Sequence, residues 1–241
     1  AIFPKLVDVV EAAIQRTEDN ELKILLHKKA ATLCELEAQL VEKAVGHYQA
    51  ILDIDPMSVD AIESLERMYG TLENYPKLAD IYKRKARVVA DPDERKDLYI
   101  KAGQIYEEIL DDVKQAVESY ASILNEDAED LTAIDKIAGL YRQQKMWPEY
   151  IETTTKKVEV TLDPDEKKTI HREIGGVYLQ ELGSVDKAVE CFRKILEIDP
   201  EDKAALATLD TVFTDEQRWE DLLPVVEKEA EISVEPKETI N

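Results

Sequence analysis

Residues 94–165 read ERKDLYIKAGQIYEEILDDVKQAVESYASILNEDAEDLTAIDKIAGLYRQQKMWPEYIETTTKKVEVTLDPD. Displaced by 72 residues in either direction, this stretch lands on itself without a gap. Ala102, Gly103 and Tyr106 fall on Ile174, Gly175 and Tyr178 downstream, and on Ala30, Ala31 and Cys34 upstream. Ala116-Val117 falls on Ala44-Val45 and Ala188-Val189. Trp147 falls on Tyr75 and Trp219, and Pro164 on Pro92 and Pro236. A fixed period sustained over a whole chain marks a repeat array, in which each unit buries its apolar face only against its neighbours.

The stretch itself predicts four helices. Asp91-Pro92-Asp93-Glu94 is a helix start, with Asp as N-cap, Pro at the first helical position and Glu three residues after the cap. Asp163-Pro164-Asp165-Glu166 repeats it. Leu98, Ala102, Ile105, Tyr106 and Ile109 then recur at helical spacing. Asp111-Asp112 breaks that helix and Asp112 caps the next, whose apolar face is Ala116, Val117, Tyr120, Ile123 and Leu124. Asn125 to Asp130 is a polar turn that matches Asp55-Pro56 and Asp199-Pro200 in the flanking units. Ile134, Ile137, Leu140 and Tyr141 mark the third helix. Met146-Trp147-Pro148 turns the chain, and Tyr150, Ile151 and Val158 mark the fourth.

Extended along the chain, this predicts an all-α array of about 13 helices, with full units at 22–93, 94–165 and 166–237. Residues 1–21 are the end of a preceding unit, with Leu6, Val9, Val10 and Ile14 on one amphipathic helix, and 238–241 fall in a frayed tail. The first unit departs from the pattern. Leu40 stands where Asp112 and Ser184 stand, which predicts an uncapped second helix after a looser turn.

Bulk composition narrows the function. Lys and Arg number 31 against 53 Asp and Glu, a net charge of −22 over 241 residues. Such an acidic chain lacks the clustered cations that non-specific binding to nucleic acid or anionic membranes requires. The excess suits a basic partner or serves solubility. The two cysteines, Cys34 and Cys191, occupy different repeat positions more than two repeats apart, so no disulfide is expected and a reducing compartment fits. No apolar run approaches a membrane span and no signal peptide is visible, which together point to the cytoplasm. Phe3-Pro4-Lys5-Leu6 aligns with mid-repeat Tyr75-Pro76-Lys77-Leu78, so the sequence reads as a piece of a longer protein.

Ala102-Gly103 with Tyr106, then Ala116 and Tyr120, with proline at the following turn (Pro56 and Pro200), resemble the tetratricopeptide repeat. The resemblance covers nearly the whole chain. The second hairpin of each unit is the poorer match, with Ile137-Ala138 and Trp147-Pro148 in place of the usual residues. This alternation resembles long bacterial arrays. The half-a-tetratricopeptide repeat is the nearest confusable family, and the Asp-Pro turns speak against it. The resemblance implies a right-handed superhelical solenoid of antiparallel helix hairpins. In such a solenoid the small pair lets helices approach, the aromatic fills the space between hairpins, and the first helix of each hairpin faces a concave groove. It also implies a scaffold that holds a peptide or helix of a partner protein and has no chemistry of its own.

Nothing in the residues argues for catalysis, a cofactor or a metal. His27 and His171 share the core column of Tyr99, and His47 stands isolated in sequence. Cys34 fills a core position, while Cys191, Ser119 and His47 share a helix flank. Tyr75, Trp147 and Trp219 recur once per unit as turn anchors. No nucleophile–base pair and no phosphate-binding glycine loop is present. Candidate partner contacts therefore come from the concave columns that the resemblance implies: Lys28, Lys29, Arg67, Ile100, Lys101, Lys136, Arg142 and Arg172. Gly139, Gly176, Ala204 and Ala207 in these columns either expose backbone to a bound helix or strand, or permit tight curvature. The family's carboxylate clamp pairs Lys with Asn one turn on. Lys28 is followed by Thr32 and Arg172 by Gly176, so the clamp is absent. Two other readings are a structural spacer or self-assembling rod and an RNA-binding helical repeat. The rod would stack Leu6, Val9 and Val10 head-to-tail against Leu222, Val225 and Val226. The RNA-binding repeat would need a basic, aromatic groove that this sequence lacks.

Overall fold

A computed structural model describes residues 2–36 and 40–234. Among them are thirteen α-helices and no strand. They fall into two compact units, Ala1–Glu126 and Asp127–Asn241. The first holds α1 (Phe3–Ile14), α2 (Asn20–Glu35), α3 (Val41–Ile54), α4 (Val59–Thr71), α5 (Tyr75–Ala86), α6 (Pro92–Gln104) and α7 (Val113–Leu124). The second holds α8 (Leu131–Gln143), α9 (Trp147–Val160), α10 (Pro164–Gln180), α11 (Val185–Ile198), α12 (Lys203–Asp215) and α13 (Trp219–Val234). The tail at Lys237–Asn241 and the turn at residues 37–39 lie outside the described residues. Leu40 indeed caps α3 with no side-chain hydrogen bond.

Within each unit, helices consecutive in the chain pack side by side. Ion pairs set their direction. Lys28 pairs with Asp60, and Arg67 Nη2 lies 2.6 Å from Glu35. Both steps are 32 residues and run the same way along α2 and α4, so these helices are parallel and α3 runs back between them. The same step joins Glu11 to Lys43 and Lys83 to Gln115 in the first unit, and Asp186 to Arg218 in the second. Each unit is thus an all-α solenoid of antiparallel hairpins.

The 72-residue period recurs in the hydrogen bonding. Asp19, Asp91 and Asp163 each cap a helix by accepting from the backbone N–H two residues on, at 2.9, 3.0 and 2.9 Å. Asp55, Asp127 and Asp199 each make the equivalent turn at the end of a hairpin. Glu73, Lys145 and Gln217 each adopt a left-handed backbone, with φ of 53°, 56° and 56°, closing α4, α8 and α12. The helical backbone also departs from the period. After Gln104 the chain widens into a π-helical turn at Ile105–Ile109, while α10 runs as α-helix to Gln180.

Close approach of helices depends on two glycines. A Cβ on Gly103 would lie 2.4 Å from the Tyr120 ring, and one on Gly175 would lie 2.9 Å from Phe192. Each ring fills the space that its glycine leaves open, within one hairpin and not between hairpins. Tyr120 and Phe192 are both buried, but their polar needs differ. The Tyr120 hydroxyl donates to Glu107 at 2.7 Å, as Tyr48 does to Glu35 at 2.6 Å. Phe192 has no hydroxyl, and Leu179 replaces the acid and packs with it. A buried hydroxyl requires an acceptor, so the two columns change together.

Candidate partner-binding face

The first unit holds five of the eight expected contacts. On α2, Lys28 and Lys29 are both exposed. Lys28 is engaged by Asp60, while Lys29 has no ion-pair partner among the described residues. Arg67 on α4 is exposed and held by Glu35. Ile100 on α6 is half-buried, and the Lys101 ammonium lies 5.9 Å from the centre of the Tyr82 ring. Two of the three expected cations of α2 and α4 are therefore spent on bridging these two helices.

The second unit holds Lys136, Arg142 and Arg172. Arg172 reaches Asp202 at 3.0 Å and so ties α10 to the start of α12. Arg142 is exposed and lines a cavity of about 320 Å³ between α8, α9 and α10. Asp135 and Gly139 of α8 and Thr169 and Glu173 of α10, from the first helices of two hairpins, line the same cavity. A Cβ added to Gly139 would meet nothing within 4 Å. Gly139 therefore exposes backbone, and no crowding demands a glycine there.

Two further residues of this cavity, Lys157 and Tyr150, were not among the expected contacts. Lys157 on α9 lies 2.8 Å from Asp135 and 3.4 Å from Glu166. Burial pulls its ammonium pKa down, but the two carboxylates outweigh that and hold it above its ordinary value. Tyr150, buried on α9, donates its hydroxyl to Glu173 at 3.2 Å. Burial first, and then Glu173, raises its pKa. The missed signal was the column itself. Lys85 stands 72 residues before Lys157 and pairs with Glu66 at 2.7 Å.

Several expectations fail. His47 is not isolated. Its Nδ1 lies 3.0 Å from Nδ1 of His27, and its Nε2 lies 3.4 Å from Glu11, which Lys43 also engages. Three helices bring together residues that sequence separates. Burial lowers both histidine pKa values, that of His27 further through His47; Glu11 opposes the shift at His47. The supposed flank column of His47, Ser119 and Cys191 is core: all three are buried, and Cys191 packs with Tyr150 and Ile151 of α9 as well as Ile170 and Ile174 of α10. Trp219 is 59% exposed, so it does not tuck in as Trp147 does against Tyr150. Val10 and Val225 are buried within their own units and leave the proposed stacking faces. Among the described residues, no group of three or more His, Cys, Asp or Glu could hold a metal ion, and no helix is long and apolar enough to cross a membrane.

Glu173–Asp202, spanning the last eight residues of α10, all of α11 and the turn after it, matches the sequence profile of the tetratricopeptide repeat over residues 173–202. This segment is a tetratricopeptide repeat. The hairpin α10–α11 that contains it shares its repeat columns with α2–α3 and α6–α7. No curated protein sequence matches the chain. Similar solved structures include YrrB, described as a tetratricopeptide protein with an unusual peptide-binding site. It has 19% identity and a TM-score of 0.38, covering 86% of this chain and 97% of that one. MamA from Desulfovibrio magneticus RS-1 has 14% identity and a TM-score of 0.36, covering 75% and 97%. PilF from Pseudomonas aeruginosa has 18% identity and a TM-score of 0.39, covering 71% and 75%.

Proposed function

We propose that this chain is a protein-interaction scaffold that holds an extended or helical segment of a partner against the first helices of its hairpins, and that it performs no reaction itself. The cavity between α8, α9 and α10 carries the reading, because residues from the first helices of two successive hairpins converge on it. At about 320 Å³ it sits at the bottom of the ~300–1,000 Å³ range of small-molecule sites, a size suited to one or two peptide side chains. Exposed ion pairs contribute only about 0–1 kcal/mol each, so affinity comes from several contacts and from apolar burial together. The contact residues are Lys28, Lys29, Arg67, Ile100 and Lys101 in the first unit and Lys136, Arg142 and Arg172 in the second.

The test is a displayed peptide library selected on the wild-type chain, with the selected peptides then measured by anisotropy against Arg67→Glu/Lys136→Glu/Arg142→Glu. A loss of about tenfold or more, roughly 1.4 kcal/mol, is expected. Unchanged affinity for every selected peptide retires the assignment.

A further inference from the structure

The internal repeat supplies its own control for one surface. Leu22, Leu25, Lys29, Thr32 and Leu36 follow one another along α2 and its C-terminal cap at steps of 3, 4, 3 and 4 residues. All five are exposed, the leucines at 41%, 63% and 63%. The equivalent positions are Glu94, Asp97, Lys101, Gln104 and Glu108 on α6 and just beyond it, and Glu166, Thr169, Glu173, Gly176 and Gln180 on α10. Not one is aliphatic, so the hairpin itself does not require leucine there. Alternating steps of 3 and 4 are the inward-facing a and d positions of a coiled coil. The Thr32 hydroxyl is already satisfied by the Lys28 carbonyl at 2.9 Å, so covering it strands no donor.

We propose that α2 docks a partner helix by coiled-coil packing along this seam, and that the partner presents an aliphatic stripe interrupted by one carboxylate opposite Lys29. The proposal rests on the scaffold reading above and names the partner class of its first-unit face. Lys29 selects the occupant. A single lysine at an inward position of a seam costs stability unless an acid meets it, and so specifies the partner. A second copy of this chain is a poor occupant. Lys29 lies midway between Leu22 and Leu36, so the in-register parallel pairing and the antiparallel pairing of Leu22 with Leu36 each bring two Lys29 ammonium groups together, while the antiparallel pairing of Leu25 with Leu36 sets each Lys29 on Thr32 and leaves both without an acid. A foreign helix with Asp or Glu at that point removes the conflict.

The probe is a synthetic 21-residue helical peptide with leucine at its a and d positions and one central glutamate; a second peptide carries lysine at that point. Anisotropy with the full chain is expected to show the glutamate peptide binding at least tenfold tighter. Lys29→Glu is expected to reverse the preference. Leu25→Asp/Leu36→Glu, which installs the residues of α6, is expected to abolish binding while leaving helicity and urea stability unchanged. Absence of binding, equal binding of the two peptides, or a preference that survives Lys29→Glu overturns the proposal. So does a dimer in sedimentation that Leu25→Asp/Leu36→Glu dissolves, because the seam would then belong to a second copy. If these results fail while library-selected peptides still lose affinity to the Arg67, Lys136 and Arg142 reversals, the scaffold reading stands and only the seam falls.

Discussion

Gly103→Ala and Gly139→Ala are the same chemical change in the middle of a helix, yet they should move stability in opposite directions. A methyl on Gly103 would sit 2.4, 2.6 and 2.9 Å from three atoms of the Tyr120 ring. Carbon atoms in contact prefer about 3.5–4.0 Å, so the ring must move by about 1 Å. It has little room to do so: Tyr120 is fully buried, and its hydroxyl donates to Glu107 at 2.7 Å. Overpacking of this kind costs about 1–3 kcal/mol, and the rigid neighbour places Gly103 near the top of that range. The better helix preference of alanine returns about 1 kcal/mol. The expected net loss is about 2 kcal/mol. At Gly139 nothing lies within 4 Å of the added methyl, so only the preference acts and a gain of about 0.5–1 kcal/mol is expected. Urea unfolding followed by circular dichroism measures both, and unchanged slopes would confine the difference to stability. If Gly103→Ala matches or exceeds the wild type, or Gly139→Ala loses more than about 0.5 kcal/mol, the assignment of tight and open glycines is wrong.

Two further outcomes follow from buried polar groups. Tyr120→Phe removes a hydrogen bond to a carboxylate and should cost about 1.5–3 kcal/mol. Adding Glu107→Leu, which copies the Phe192/Leu179 combination of the last repeat, should recover part of that cost, and a strictly additive double variant would sink the pairing. The histidine pair should make stability fall on acidification. Burial sets both folded-state pKa values below their ordinary 6.5. Above that pH folded and unfolded chains are both neutral at these rings and stability is full. Below it the unfolded chain takes up protons first, and stability is lost as pH falls toward the folded values. A second proton would also set two N–H groups face to face across 3.0 Å. Urea midpoints from pH 7 to 5 should fall less steeply in His47→Gln than in the wild type. Equal slopes would mean that the pair does not couple to folding.

Much of this architecture was legible in the sequence because its signals are local. Asp19, Asp91 and Asp163 cap helices by reaching two residues along their own chain, so their spacing announces the helix starts. Asp55, Asp127 and Asp199 announce the turns in the same way. The 72-residue period then extends each local reading over the whole chain and fixes which columns are core. Tertiary structure alone decided what depends on how closely two helices approach. Gly103 and Gly139 carry the same letter, but one lies under a ring and the other faces open space. Lys157 enters the cavity from a second helix because a long side chain is directed by the acids that packing brings to it. His27, His47 and Glu11 meet only because three consecutive helices, α1, α2 and α3, share one junction. Hydrophobic spacing encodes which face of a helix is buried. It does not encode the distance or register at which that face meets its neighbour, and the partners of long polar side chains depend on that distance.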